Sequence, residues 1–253
     1  MKRTEKRKAP ALNRVADPKH AALAPKVIAA CKFGRLDIIK SMEKEGFPLN
    51  CLLDVNKMTP ALLAADYGHL PILKFLQENN HPLSNCTADG VNIAMLAARS
   101  GHIEVLKWLD GLDVVSKAAR TSSGRSTAMF AASNGHTEAL QWLFEHGYSI
   151  TDRSASGETC LSLAAKYMRG RTFDYLLKVQ NISTAEIPTN LPISPIFALV
   201  QGGLLDRIKE LVLQPDFSDL TTRTSDGLTL MMLASQHGQI PTMQWLLDQG
   251  HCI

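Results

Sequence analysis

Cysteine and long apolar stretches are both scarce in this chain of 253 residues. The five cysteines are an odd number and form no Cys-x-x-Cys pair, which excludes a disulfide framework and a zinc knuckle. We therefore expect a reducing compartment, the cytoplasm first of all. No apolar stretch approaches the roughly 20 residues that cross a bilayer, so no membrane span is expected. The basic opening MKRTEKRKAP is followed by no apolar segment, which excludes a secretory signal.

Motifs for catalysis and for metal binding are missing as well. The sequence has no Gly-rich phosphate loop, no HExxH and no GxSxG. His69, His102 and His136 recur about 33 residues apart, which suits equivalent places in successive repeats and not one metal centre. Cys31 and Cys160 occupy small-residue positions and are expected to be buried. The sequence thus predicts a protein that is not an enzyme and that uses no cofactor or metal.

Positive charge is concentrated at the N-terminus. Residues 1–20 hold seven basic and two acidic residues, whereas the rest of the chain is slightly acidic. We expect residues 1–22 to form a disordered, solvated arm. Nuclear import, nucleic-acid contact and attraction to an anionic membrane are the alternatives for this arm. The arm has no aromatic residue that would stack on a base, so nucleic acid is the least favoured partner.

What the chain does contain is an internal repeat. A Gly that follows a short apolar segment recurs at intervals of 33 to 35 residues, and Met168 fills its place in the fifth copy. The copies divide residues 23–253 into seven repeats, numbered one to seven here. Their approximate limits are 23–53, 54–86, 87–120, 121–153, 154–189, 190–223 and 224–253.

Each repeat carries the signals of a turn followed by two helices. A turn such as Asp89-Gly90 precedes a Thr or Asn that can cap a first helix of small residues. The recurring Gly ends this helix, and the second helix carries a one-sided apolar stripe such as Val105, Leu106 and Leu109. Neither helix can bury its stripe alone, so the repeats must stack.

These residues resemble the ankyrin repeat, an element of about 33 residues with a turn and two antiparallel helices. Its Ala-Ala-x-x-Gly-His core stands at 64–69, 97–102 and 131–136. The resemblance implies an all-α ankyrin-repeat solenoid over residues 23–253. Repeat five departs from it with Met168-Arg169 in place of Gly-His, and residues 179–195 lengthen the link to repeat six. We expect a strained turn at Met168 and the least stable structure in repeats five and six.

The resemblance also implies a function, which is to bind another protein on the concave face of the stack. The turn tips and the two residues after each Ala-Ala pair point to that face in the family. Basic side chains among them favour an extended acidic segment of the partner. The candidate binding residues are Asn56, Met58, Asp66, Tyr67, Arg99, Ser100, Arg125, Asn134, Lys166 and Tyr167.

Two further surfaces attract attention. An aromatic residue stands seven positions after the recurring Gly in five repeats, and we interpret these rings as covers for the grooves between second helices. The alternative is an aromatic ridge that anchors a partner. The rings belong to Phe75, Trp108, Trp142, Tyr175 and Trp245. The apolar end of repeat seven predicts either residues beyond Ile253 or packing against a further domain or chain.

Two other hypotheses about function stay open. The repeats can dock a substrate for a larger enzyme, or they can belong to a bacterial effector that is delivered into a host cell. A nucleic-acid-associated regulator that uses the basic arm is the third and least favoured hypothesis.

Overall fold

The structure is a computed structural model that describes residues 18–50, 58–181, 195–214, 220–224 and 226–250. Within these ranges the secondary structure is almost entirely helical, with fourteen helices and two isolated antiparallel bridges, Cys86 with Asn92 and Arg223 with Thr229. The helices are α1 Pro18–Lys32, α2 Leu36–Lys44, α3 Pro60–Asp66, α4 Leu70–Glu78, α5 Ile93–Arg99, α6 Ile103–Asp110, α7 Thr127–Asn134, α8 Thr137–Glu145, α9 Cys160–Lys166, α10 Gly170–Val179, α11 Pro195–Gly202, α12 Leu205–Val212, α13 Leu230–Gln236 and α14 Ile240–Asp248.

The chain forms two compact units. Unit 1 spans Met1–Ala97 with Glu104–Val115, and unit 2 spans Ala98–Ile103 with Ser116–Ile253. In unit 1, α1 packs on α2 and α3, and α4 packs on α2 and α3. In unit 2, the first helices α7, α9, α11 and α13 follow one another in a row, and each packs on the second helix of its own repeat.

A tight turn, called the finger turn here, precedes the first helix of a repeat. In repeat four the Thr121 amide donates to the Arg125 carbonyl at 3.0 Å, and the Arg125 amide donates back to the Thr121 hydroxyl at 3.0 Å. The Gly124 amide closes the turn on the Thr121 carbonyl. The same pattern begins at a Thr or Ser in four repeats, and sequence analysis missed this residue. Its positions are Thr87, Thr121, Ser154 and Thr224.

The first helices begin at side-chain caps, as the sequence predicts. The hydroxyls of Thr59, Thr159 and Thr229 and the amide oxygen of Asn92 each accept from the backbone N–H three residues later. In repeat four the cap is Ser126, one residue before the expected Thr. These caps satisfy N–H groups that have no partner inside the helix.

Small residues fill the centre of the first helices. The Ala-Ala pairs at 64–65, 97–98, 131–132 and 164–165 are completely buried. The second helices bury the predicted apolar stripes, with Leu106 and Leu140 in the core. The burial of Cys31 and Cys160 is confirmed as well.

Three sequence expectations concern the limits of the repeats. Helix α1 begins at Pro18, so the boundary expected between residues 22 and 23 lies inside a helix, and the arm before residue 18 is outside the described residues. The link at 182–194 and the last three residues are outside them too. In repeat seven, Met232, Ile240 and Leu247 are exposed.

Candidate functional site

The expected binding residues are distributed over both units. Met58, Asp66 and Tyr67 belong to unit 1, and the six from Arg99 to Tyr167 belong to unit 2. Asn56 lies outside the described residues. Met58 is buried beside the cap of α3 and is only 7% exposed, so its burial speaks against the predicted role in binding.

Three expected residues of unit 2 meet around a fourth, Glu158. Arg125 Nη2 donates to Glu158 Oε2 at 2.9 Å, and Lys166 Nζ donates to Glu158 Oε1 at 2.8 Å. Tyr167 also lies close enough to the Arg125 guanidinium to contribute to the raised pKa of Arg125. The Lys166 ammonium lies 5.6 Å from the centre of the Tyr167 ring, in cation–π distance. We call Arg125, Glu158, Lys166 and Tyr167 the finger cluster.

The finger cluster joins two repeats because of the repeat period. Arg125 and Glu158 each follow the Gly of a finger turn, in repeats four and five respectively. The Ala155 amide of the second turn donates to the Ser123 carbonyl of the first at 2.9 Å, which holds the turns side by side. Opposite charges at equivalent positions of successive repeats are the sequence signal for this ion pair.

Charge within the finger cluster is largely balanced. Only 15% of the Glu158 side chain is exposed, and hydrogen bonds from Lys166 and then Arg125 hold its pKa below the usual value, although burial acts in the opposite direction. The pKa of Lys166 and that of Arg125 are raised by their bonds to the same carboxylate. One positive charge in excess therefore remains in the finger cluster.

The remaining candidates differ in exposure. Tyr67 is exposed, and the ammonium of Lys32, from the preceding repeat, lies 5.8 Å from its ring centre. Asp66, Arg99 and Ser100 are partly exposed, and each already has an interaction in the structure. Asn134 donates to the Phe130 carbonyl at 2.9 Å at the end of α7.

The histidines after the recurring Gly serve the framework. His69 Nε2 donates to the Lys32 carbonyl at 2.8 Å, and the backbone of Arg99 interacts with the His136 ring. In both cases the partner ends the first helix of the preceding repeat. Burial holds the pKa of His136 below 6.5, since its interaction with the Arg99 backbone only partly offsets this effect.

Other side chains make the same bond in repeats that lack this histidine. Arg169 Nε donates to the Ser133 carbonyl at 3.1 Å, and Gln239 Nε2 donates to the Gln201 carbonyl at 3.0 Å. We call these bonds the carbonyl ladder. The donors with a measured bond are His69, Arg169 and Gln239, and repeat six has Leu204, whose side chain has no donor, at the same position.

The recurring Gly makes room for the ladder side chain. Gly135 has a φ of 81°, and a Cβ added to it would lie 2.9 Å from Arg169 Cδ. Both the left-handed backbone and the close approach therefore require glycine at this place. Met168 takes the left-handed conformation in repeat five with a φ of 53°, which confirms the expected strain.

Chemical reactivity is low at the residues that sequence analysis singled out. Burial raises the pKa of the Cys31 and Cys160 thiols to about 12, so neither is a thiolate at neutral pH. Among the described residues, no three His, Cys, Asp or Glu side chains are placed to hold a metal ion. In the same part of the chain, no helix is long and apolar enough to span a bilayer.

The five rings that stand seven positions after the recurring Gly place are partly buried, namely Phe75, Trp108, Trp142, Tyr175 and Trp245. Trp142 stacks on His146 with ring centres 4.0 Å apart, and Tyr148 lies beside it at 6.5 Å. This arrangement suits a cover over packed helices better than a freely exposed ridge.

Capped first helices, apolar second helices and finger turns at a period of about 33 residues define an all-α repeat protein of the solenoid class. A family model described as ankyrin repeats in three copies matches residues 27–118 and 114–189. The chain belongs to the ankyrin-repeat family, which confirms the expected family and fold class. No curated protein matches the chain. Ankyrin repeats are generally protein–protein interaction modules and typically lack catalytic activity.

Proposed function

We propose that the chain is a non-enzymatic module that binds a partner protein on the finger cluster of unit 2. The observation that carries this proposal is the exposed ring of Tyr167, 40% accessible, beside charges that are already ordered. Tyrosine and arginine dominate the residues that supply most of the free energy in protein interfaces.

Prior ordering of the finger cluster favours binding. Arg125 and Lys166 are held by Glu158 before a partner arrives, so less side-chain entropy is lost when the interface forms. The internal ion pairs also fix where donors and acceptors lie, which gives specificity for one pattern of polar groups.

The composition of the finger cluster indicates the chemistry of the partner. Two cations share one carboxylate, so a partner face with a single acidic group beside an apolar patch fits best. The apolar patch would cover the Tyr167 ring, and the acidic group would approach the exposed side of Lys166. A run of several acidic residues finds only one uncompensated positive charge in the finger cluster.

Affinity capture with quantitative mass spectrometry tests the proposal. We expect Tyr167→Ala to lose the bound partner by about tenfold or more, because a central aromatic anchor is removed. Phe144→Ala is the matched control, since Phe144 is 44% exposed but lies on the second helix α8. Equal recovery of partners by the wild-type chain and by Tyr167→Ala would reject the finger cluster as the binding surface.

A further inference from the structure

A polar groove of about 430 Å³ lies in unit 2 beside the turns that join the first and second helices of repeats four to seven. Arg169, Arg171 and His237 line it, and the residues that line it include no Asp or Glu. Of the candidate binding residues predicted from the sequence, only Asn134 lines this groove. Its positive side chains therefore form a set separate from the finger cluster.

Arg169 brings more donors to the groove than the carbonyl ladder uses. Its Nε is bound to the Ser133 carbonyl, so the guanidinium is held in place by one of its nitrogens. A histidine or glutamine at this position of the ladder would offer a single donor to that carbonyl. The two terminal nitrogens of Arg169 are thus additional, and their plane suits a carboxylate.

Arg171 supplies a second, more accessible guanidinium. Its side chain is exposed and forms no ion pair among the described residues. Glu138 is the nearby carboxylate to consider, and it lines an adjoining groove of about 420 Å³ that shares Gly135 and Arg171 with the first. Among the described residues no ion pair joins Glu138 to Arg171, which leaves the arginine available to a ligand.

Amide groups complete a donor-rich lining. The Gly170 amide donates to Gln201 Oε1 at 2.8 Å, so the side-chain oxygen of Gln201 is engaged and its amino group remains a donor. Gln239 has its Nε2 on the Gln201 carbonyl. The first turn of α10 also lies in the groove and adds the positive end of its dipole.

We propose that this groove binds an acidic peptide segment of a partner protein through carboxylates held by Arg169 and Arg171. The proposal rests on the proposed function only in that the ligand is part of a protein. A volume of about 430 Å³ accommodates several peptide side-chain atoms, whereas one phosphate ion would fill a small part of it.

Fluorescence anisotropy with a labelled hexaglutamate peptide tests the proposal on the full chain at low salt. The double variant Arg169→Gln with Arg171→Gln is expected to weaken binding by about tenfold or more. Glutamine at 169 can keep the ladder bond that Gln239 makes in repeat seven, and circular dichroism of the variant checks its fold. Lys209→Gln removes one exposed positive charge from α12 and should change binding by less than about twofold.

The outcomes separate this proposal from its competitors. Absence of peptide binding by the wild-type chain would overturn it. An equal loss of affinity in Lys209→Gln and in the double variant Arg169→Gln with Arg171→Gln would overturn it as well. Inorganic phosphate that binds through the two arginines and that hexaglutamate cannot displace would also overturn it, in favour of a phosphate site. Tyr167→Ala should bind the peptide normally, so this groove and the finger cluster succeed or fail independently.

Discussion

Gly170, the first residue of α10, lies directly against Gly202, the last residue of α11. A Cβ added to Gly170 would stand 2.5 Å from the Gly202 Cα and would meet the Ala198 carbonyl oxygen as well. Both obstacles are backbone atoms, which cannot move aside by changing a rotamer. The contact between repeats five and six therefore depends on the missing side chain.

Gly170→Ala should accordingly destabilise the chain by about 1–3 kcal/mol, the usual cost of overpacking, although alanine is the better helix former. The free energy of unfolding in urea measures this. Gly111→Ala is the control, because its Cβ would find its nearest neighbour, the Trp108 carbonyl oxygen, at an ordinary 3.5 Å. Equal stability of Gly170→Ala and Gly111→Ala would contradict the close contact between α10 and α11.

Leu140→Ala should cost about 2–5 kcal/mol of unfolding free energy, because it empties a fully buried site in α8. Leu213→Ala makes the same chemical change at a side chain that is 83% exposed, and it should stay within about 0.5 kcal/mol of the wild type. Thermal and urea denaturation of both variants give the comparison. Similar losses at the two sites would contradict the core described for unit 2.

Met168→Gly should stabilise repeat five by about 0.5–1 kcal/mol, since glycine adopts the left-handed conformation of this turn without steric cost. Gly135→Ala tests the reverse change in repeat four and should destabilise it. Hydrogen exchange of the wild-type chain should open repeats five and six before repeats two to four, and Met168→Gly should reduce this difference. A loss of stability in Met168→Gly would mean that its side chain contributes more than the strain costs.

The stability of the chain should fall as the pH is lowered through 6.5, in part because of His136. Its pKa in the folded protein lies below that value, so the unfolded chain binds the proton more readily. The contribution is complete above the usual pKa and is lost on acidification. His136→Gln should flatten the dependence between about pH 7.5 and about pH 5.5 in urea titrations. Lys209→Gln, which removes an exposed charge and keeps the imidazole of His136, should leave it unchanged.

The sequence predicted the local elements well because each is encoded by a few neighbouring residues. The recurring Gly, the caps and the stripe at Leu106 and Leu109 all reflect backbone geometry and helical period, which a repeat displays several times. The strained turn at Met168 was predictable for the same reason, as the one place where the expected Gly is missing.

The candidate site was harder to predict because it depends on how far side chains reach between repeats. Nothing local to Lys166 shows that its ammonium meets Glu158, eight residues earlier, or that Arg125 shares that carboxylate. The burial of Met58 likewise follows from packing around it, and a turn-tip position alone does not reveal it.

The carbonyl ladder has a consequence for how such a chain can evolve. Each rung ends on a main-chain oxygen, which every residue possesses, so the preceding repeat needs no acceptor side chain and only the recurring Gly that makes room for the donor. A repeat with its own donor can therefore be duplicated or exchanged next to any repeat that keeps this Gly. Histidine, arginine and glutamine all serve as ladder donors in this one chain. The donor position therefore accepts several kinds of side chain, and an arginine at this position can bind a ligand as well.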